Sequence, residues 1–180
     1  INYLGIAFAS EGVQLRKAGI DASLLLMTPP EPEELDAIIQ FDIETIICDV
    51  VTIKKLSEKA DEHHKTVNIH LFIDTGMHRD GVYPEEAVAM AQLIITSPGL
   101  HLKGLCTHFA TADSEDTSFM EEQLHIFEQC LNALLDHGIK PDLFHVGNSA
   151  AMIRIPEQIG SLARPGLSMY GYSPIPNTFN

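Results

Sequence analysis

Val67-Asn-Ile-His-Leu-Phe-Ile-Asp-Thr-Gly-Met-His-Arg79 reads as a buried strand that ends in a charged turn. The apolar run stops at Ile73, and Asp74, Thr75, Gly76 and Arg79 follow at once. A helical stretch then opens at Pro84-Glu-Glu-Ala. A strand that ends in a carboxylate, a hydroxyl, a flexible glycine and a guanidinium is where α/β folds place their chemistry. The plain alternative is a loop leading into a helix, with a surface arginine. Two further strand ends of the same character favour a site.

The same alternation extends outward in both directions. Short apolar runs predict strands over residues 4–8, 23–27, 45–48, 67–73, 100–107, 143–146 and 161–164. Amphipathic runs predict helices over residues 10–18, 33–40, 52–64, 84–96, 118–137 and 150–154. Ser10 is a candidate N-cap, Pro29-Pro-Glu-Pro32 leads into the second helix, and Gly138 closes the longest one. Strict alternation of strand and helix means parallel strands joined by right-handed crossovers. No G-x-G-x-x-G follows any strand, which disfavours a dinucleotide-binding sheet. The predicted fold class is therefore α/β, a (β/α)8 TIM-type barrel represented by seven strands, strand two to strand eight, with the first missing. An open barrel of that kind exposes strand edges at 4–8 and 161–164. With no linker or low-complexity segment, residues 1–180 read as a single domain.

Composition bounds the function. Hydrophobic residues make up 45% of the 180, enough for a sizeable core. No apolar run reaches the length of a membrane span. The net charge is −14 with 11 Lys and Arg, which argues against nucleic acid and anionic membranes as partners. An anionic ligand needs a local positive site, so each arginine matters. Cys48, Cys106 and Cys130 are widely spaced without a C-x-x-C, and read as buried free thiols of a reducing, cytoplasmic compartment. The N-terminus lacks a basic leader and reads as a core strand, so the chain is expected to begin inside a larger protein.

In a barrel the active site forms at the carboxyl ends of the strands. Asp74 and Arg79, then Thr107, His108 and Asp113, then His145, Asn148 and Ser149, and finally Arg164-Pro-Gly-Leu167 all fall there. Barrels often bind phosphate with the loops after strands seven and eight. Asn148-Ser149 opens a helix with free amides and a hydroxyl, and Gly166 lets a backbone approach closely. The same residues also fit ordinary capping by Ser149 and a turn at Pro165-Gly166. His108 and His145 each fit either a site or a core imidazole bonded to a carbonyl. His70, Asp74 and His78 are spaced by four, which is not a metal-binding face on a strand, and no His-x-His or H-E-x-x-H occurs.

Taken together these segments resemble the alanine racemase family. Asp74-Thr-Gly-Met-His-Arg79, Gly104-Leu-Cys-Thr-His-Phe-Ala-Thr-Ala-Asp113, His145-Val-Gly-Asn-Ser-Ala-Ala151 and Arg164-Pro-Gly-Leu-Ser-Met-Tyr-Gly171 carry the match, with Ser10-Glu11 and Leu15-Arg-Lys-Ala-Gly-Ile20 adding a weaker fifth. The resemblance implies a barrel that binds pyridoxal 5′-phosphate (PLP) and interconverts L- and D-alanine for cell-wall precursor supply, in a cytoplasmic homodimer. It assigns Arg79 to the cofactor's phenolic oxygen and the substrate carboxylate. His108 is assigned to the pyridine ring and to a hydrogen bond with the arginine facing the ring nitrogen. That arginine is Arg164, which cannot give up its proton and so makes the ring a weaker electron sink, suited to racemisation. Asn148, Ser149, Gly166 and Leu167 are assigned to the phosphate.

The family's two catalytic bases, a lysine and a tyrosine, match no residue here. They are expected before Ile1 and in a C-terminal β-domain after Asn180, so the chain alone is expected to be inactive. Tyr170 and Tyr172 belong to the last motif and do not replace the tyrosine. Three positions depart from the pattern. Phe72 stands where many members carry a carbamylated lysine that orients the arginine, His78 replaces a small residue, and Asp80 an apolar one. Two other readings stay open: a metal-dependent barrel hydrolase using His108, His145, Asp74 and Asp113, and a non-catalytic PLP-binding domain.

Overall fold

The protein is described by a computed structural model over residues 2–175; residue 1 and residues 176–180 of the expected domain lie outside the described residues. Six strands alternate with helices: β1 (Tyr3–Ile6), α1 (Ala9–Lys17), β2 (Ser23–Leu26), α2 (Leu35–Gln40), β3 (Ile43–Ile47), α3 (Val50–Glu62), β4 (Val67–Phe72), α4 (Ala87–Thr96), β5 (Leu100–Cys106), α5 (Ser118–Asp136), β6 (Leu143–His145) and α6 (Ser149–Arg154). The sheet order is β1-β2-β3-β4-β5-β6, and every neighbouring pair is parallel. Parallel strands in sequence order, joined by right-handed crossovers, place every helix on one face. A doubly wound sheet would reverse its order part-way. The sheet is therefore an arc of a barrel, in the α/β class the sequence predicts.

The described sheet has six strands, not the seven expected. Residues 161–164 pass the edge of β6 through separate bonds. Val146 N donates to Ile159 O (3.1 Å), Ser161 N to Phe144 O (2.8 Å) and Arg164 N to Gly147 O (2.9 Å). A 3-10 turn at Pro156–Gln158 brings Gly160 in, where it bridges His145 in the antiparallel sense. Gly160 holds φ at 93°, and a Cβ there would meet the Phe144 carbonyl. Pro165 then removes the next amide, so a parallel ladder does not form.

The two faces of the sheet differ. Leu24, Leu26, Ile43, Ile47, Ile69, Leu71 and Leu105 point toward the helices and join Leu35, Ile38, Ile53, Leu56, Ile94 and Phe127 in the main core. Alternate residues Leu25, Ile46, Phe72 and Cys106 form a second, inner cluster with Tyr3, Met27 and Leu162 packed on it. Burial of both faces explains why the strands read as apolar runs.

Helix starts are set by caps more than by the apolar period. Asp49 accepts from Thr52 N (2.8 Å), so α3 begins before the predicted residue 52. Glu11 takes the amides of Ala7 (2.7 Å) and Phe8 (3.1 Å), so Ser10 lies inside the first turn of α1 and is not its cap. Gly138, at φ 73°, closes α5 as expected.

Candidate active site

The loop after β4 is shaped by Asp74. Its carboxylate accepts from Gly76 N, His78 N and His78 Nδ1, each at 3.0 Å. Burial opposes its charge, but these donors outweigh it and hold the carboxyl below the usual range. Arg79 is more than half exposed and pairs through Nε with Asp80 Oδ2 at 3.1 Å. Asp74, His78, Arg79, Asp80, Gly81 and Tyr83 line a cleft of about 250 Å³. Phe72 is buried in the inner cluster, so Asp80 is the acidic partner this chain gives Arg79.

Beneath that loop lies a buried polar brace that the sequence did not reveal. Thr75 Oγ1 and Thr107 Oγ1 share a hydrogen bond of 2.8 Å. Gln123, wholly buried on α5, donates Nε2 to Thr75 Oγ1 (3.2 Å) and to the His108 carbonyl (3.1 Å), and accepts from Ala110 N at 2.9 Å. One side chain thus ties the ends of β4 and β5. A glutamine in an amphipathic helix gives no sign of this, because its partners are distant in sequence.

Arg164 joins the ends of β5 and β6. Nη1 donates to His145 Nδ1 (2.5 Å) and to His145 O (2.8 Å), and Nη2 donates to Thr107 O (2.6 Å) and Val146 O (3.3 Å). Nε is buried and has no partner among the described residues. The guanidinium is thus fixed by three backbone carbonyls and an imidazole across the ends of β5 and β6. The imidazole that bonds it is His145, not His108 as the resemblance implied. His145 ends β6 on the inner face, level with Cys106, while His108 lies beyond the end of β5. Burial, Arg164 and Arg79 press the His108 pKa down to about 4, so its ring is neutral at physiological pH. Burial, Arg164 and His70 likewise hold His145 well below its ordinary value.

The last two loops meet at Ser149. Its Oγ accepts from Gly166 N (2.9 Å) and Ser168 N (3.3 Å), which leaves its own proton to donate. Ser168 Oγ is buried without a partner among the described residues. A Cβ on Gly166 would meet nothing within 4 Å, so the loop is open beside it. The cap of α6 is Asn148: Oδ1 accepts from Ala151 N at 3.0 Å, and Nδ2 donates to Phe109 O at 3.4 Å. Its side chain is therefore engaged in shaping the helix start. Leu167 is exposed and opens a 3-10 turn to Tyr170. In the sequence Ser168 looks like any loop serine, with no sign of its buried hydroxyl.

The residues considered for a metal do not converge. Both His145 nitrogens are engaged, Asp74 serves its own loop and Asp113 is exposed. Among the described residues no group of three His, Cys, Asp or Glu could hold a metal ion. A second cleft of about 250 Å³, lined by Ser23, Glu44 and Asn68 among others, lies at the opposite, amino ends of the strands. No described helix is long and apolar enough to cross a membrane.

Comparison with known proteins identifies the family. A family model described as alanine racemase, N-terminal domain, matches residues 1–174. The alanine racemase of Treponema denticola is 38% identical over 180 residues, covering 98% of this chain and 48% of that protein. Among solved structures, alanine racemase of Clostridium difficile 630 superposes with a TM-score of 0.94 at 29% identity, covering all of this chain and 47% of that one. A structure of the same enzyme in complex with cycloserine gives a TM-score of 0.93 at 30% identity, covering 100% of this chain and 50% of that one. The chain spans about half the length of the curated relatives it matches.

Proposed function

Because the chain belongs to the alanine racemase family, in its N-terminal domain, we propose that it is the PLP-holding barrel portion of a cytoplasmic, homodimeric enzyme that interconverts L- and D-alanine. The observation that carries the reading is Arg164 Nε: a buried donor with no partner among the described residues, on a guanidinium clamped at every other nitrogen. A pyridine nitrogen is an acceptor of the right kind. The unpartnered Ser168 Oγ, the spare Ser149 proton and the open loop at Gly166 support a phosphate beside it.

When bound, PLP supplies the electron-withdrawing ring that acidifies the α-hydrogen of an amino acid. Arg164 would give the ring nitrogen a hydrogen bond without giving it a proton, because a guanidinium does not act as an acid in this range. Neutral His108 would offer an uncharged face to the ring and leave the positive charge to the arginines. Ser149, Gly166, Ser168 and the backbone at Leu167 would hold the phosphate. Asn148 supports that pocket by capping α6. Arg79, braced by Asp80, would face the alanine carboxylate.

Racemisation needs a base on each face of the α-carbon. In this reading both bases, a lysine and a tyrosine, belong to the rest of the full-length protein, and residues 1–180 alone do not racemise. The test is a PLP titration of the full-length protein, read by visible absorbance. Uptake with a Ser149→Ala variant weakened about tenfold, the scale of one charge-assisted hydrogen bond, supports the pocket. Equal affinity of wild type and variant refutes it.

A further inference from the structure

A line of buried hydrogen bonds runs behind Arg164, through the inner face of the sheet. His145 Nε2 lies 2.8 Å from His70 Nδ1, and His70 Nε2 lies 2.9 Å from Glu44 Oε2. Both imidazoles are fully buried, and Glu44 is 7% exposed. Tyr3 Oη donates to Glu44 Oε2 (3.2 Å) and Asn68 Nδ2 to Oε1 (3.4 Å), so three donors converge on one carboxylate. Glu44 also lines the cleft at the amino ends of the strands, so the line spans from that cleft to the site.

The proton positions along it follow from Arg164. A guanidinium only donates, so His145 Nδ1 must be bare and its proton must sit on Nε2. That proton points at His70 Nδ1, which must also be bare, and His70 carries its own on Nε2. Glu44 receives it. Each imidazole is neutral and each has one allowed tautomer. Among the described residues, none of the acceptors around Arg164 is a carboxylate. The nearest carboxylate on this line, Glu44, stands two imidazoles away.

We propose that Glu44 is a positioning residue for the site: as terminal acceptor it locks His70 and His145 as Nε2–H tautomers, and so keeps His145 Nδ1 available to hold Arg164 in place. Without an acceptor at residue 44, His70 Nε2–H is a buried donor with nothing to bond. The ring can then satisfy itself only by moving its proton to Nδ1, against His145 Nε2–H. The conflict passes to Arg164, whose clamp loosens. The effect falls on how the arginine meets the cofactor, not on alanine binding. This inference rests on the functional reading above only for its catalytic consequence; the tautomers stand apart from it.

The experiment uses the full-length protein with ¹⁵N-labelled histidine, as wild type, Glu44→Leu and Glu44→Gln. Imidazole ¹⁵N shifts report the tautomers with or without PLP, and racemisation of alanine reports kcat and KM. The wild type is expected to show both rings as Nε2–H. Glu44→Leu is expected to lose that pattern and about tenfold in kcat, the usual size of an effect on a residue that orients a histidine, with KM little changed. Glu44→Gln keeps an acceptor oxygen and is expected to lose less. A wild type with Nδ1–H on either ring overturns the relay whatever the cofactor does. Wild-type tautomers and kcat in Glu44→Leu overturn the positioning role. Failure to take up PLP sinks the functional reading and leaves the tautomer result to judge the relay.

Discussion

Replacing Gly104 with alanine tests the relay by packing alone. Gly104 pairs with His70 across β4 and β5, after a register shift that skips Lys103. A Cβ at Gly104 would lie 2.8 Å from His70 Cε1 and 2.9 Å from Cγ, and closer still to Nδ1. Carbon atoms pack at about 3.5–4.0 Å, so the ring must retreat by roughly 1 Å. It cannot do so and keep bonds of 2.8 and 2.9 Å to His145 and Glu44. Overpacking costs about 1–3 kcal/mol, and loss of a buried hydrogen bond about as much, so Gly104→Ala should lose about 3–4 kcal/mol. Gly104 does not hold a positive φ, so backbone strain adds nothing. Gly5→Ala is the control. Its Cβ would meet only the flexible Met27 side chain at 3.3 Å, and should cost under about 1 kcal/mol. Urea unfolding followed by circular dichroism measures both through the midpoint, with the slope unchanged. If Gly104→Ala unfolds within about 1 kcal/mol of Gly5→Ala, the ring is not pinned as described.

Other outcomes follow from the same geometry. Gln123→Leu should destabilise by about 3 kcal/mol in urea unfolding, because it strands the Ala110 amide and takes a donor from both the His108 carbonyl and the Thr75 hydroxyl, which keeps only Thr107. His108 and His145, whose pKa values the fold lowers, make stability fall in acid. His108 titrates near 4 in the fold against 6.5 unfolded, so below pH 6.5 the unfolded chain binds protons that the fold refuses. Stability should be flat above that pH and fall as pH drops toward 4. His108 alone contributes about 3 kcal/mol of loss, complete below its folded pKa, and His145 extends the decline further. Burial pushes the Cys106 thiol up to about 12 and Cys130 to about 11, and it raises Cys48 too. A thiol reagent at pH 8 should react slowly with the native protein and quickly with all three after denaturation.

The sequence made the alternation of β4, its turn and α4 legible because burial of both sheet faces writes long apolar runs. It also made the strand-end arginines legible, because Arg164-Pro-Gly and Asp74-Thr-Gly are unusual at the end of an apolar run. It did not show that residues 161–164 lack a ladder, because strand formation there depends on a neighbour's edge and not on local pattern. Nor did it show Glu44, His70 and Gln123. Each sits at a position that alternation marks as buried or ordinary, and each takes meaning from partners at least 13 residues away. In the sequence Gly104 reads only as part of a motif. Its reason is the His70 ring, which occupies the volume a side chain would need.

The most direct test is to incubate the full-length protein that carries this chain with PLP and L-alanine, and to follow D-alanine by chiral chromatography. D-alanine formation that requires PLP and collapses in Arg164→Leu is the predicted result. A fully folded protein that binds PLP and forms no D-alanine, or one that racemises without it, would contradict the account.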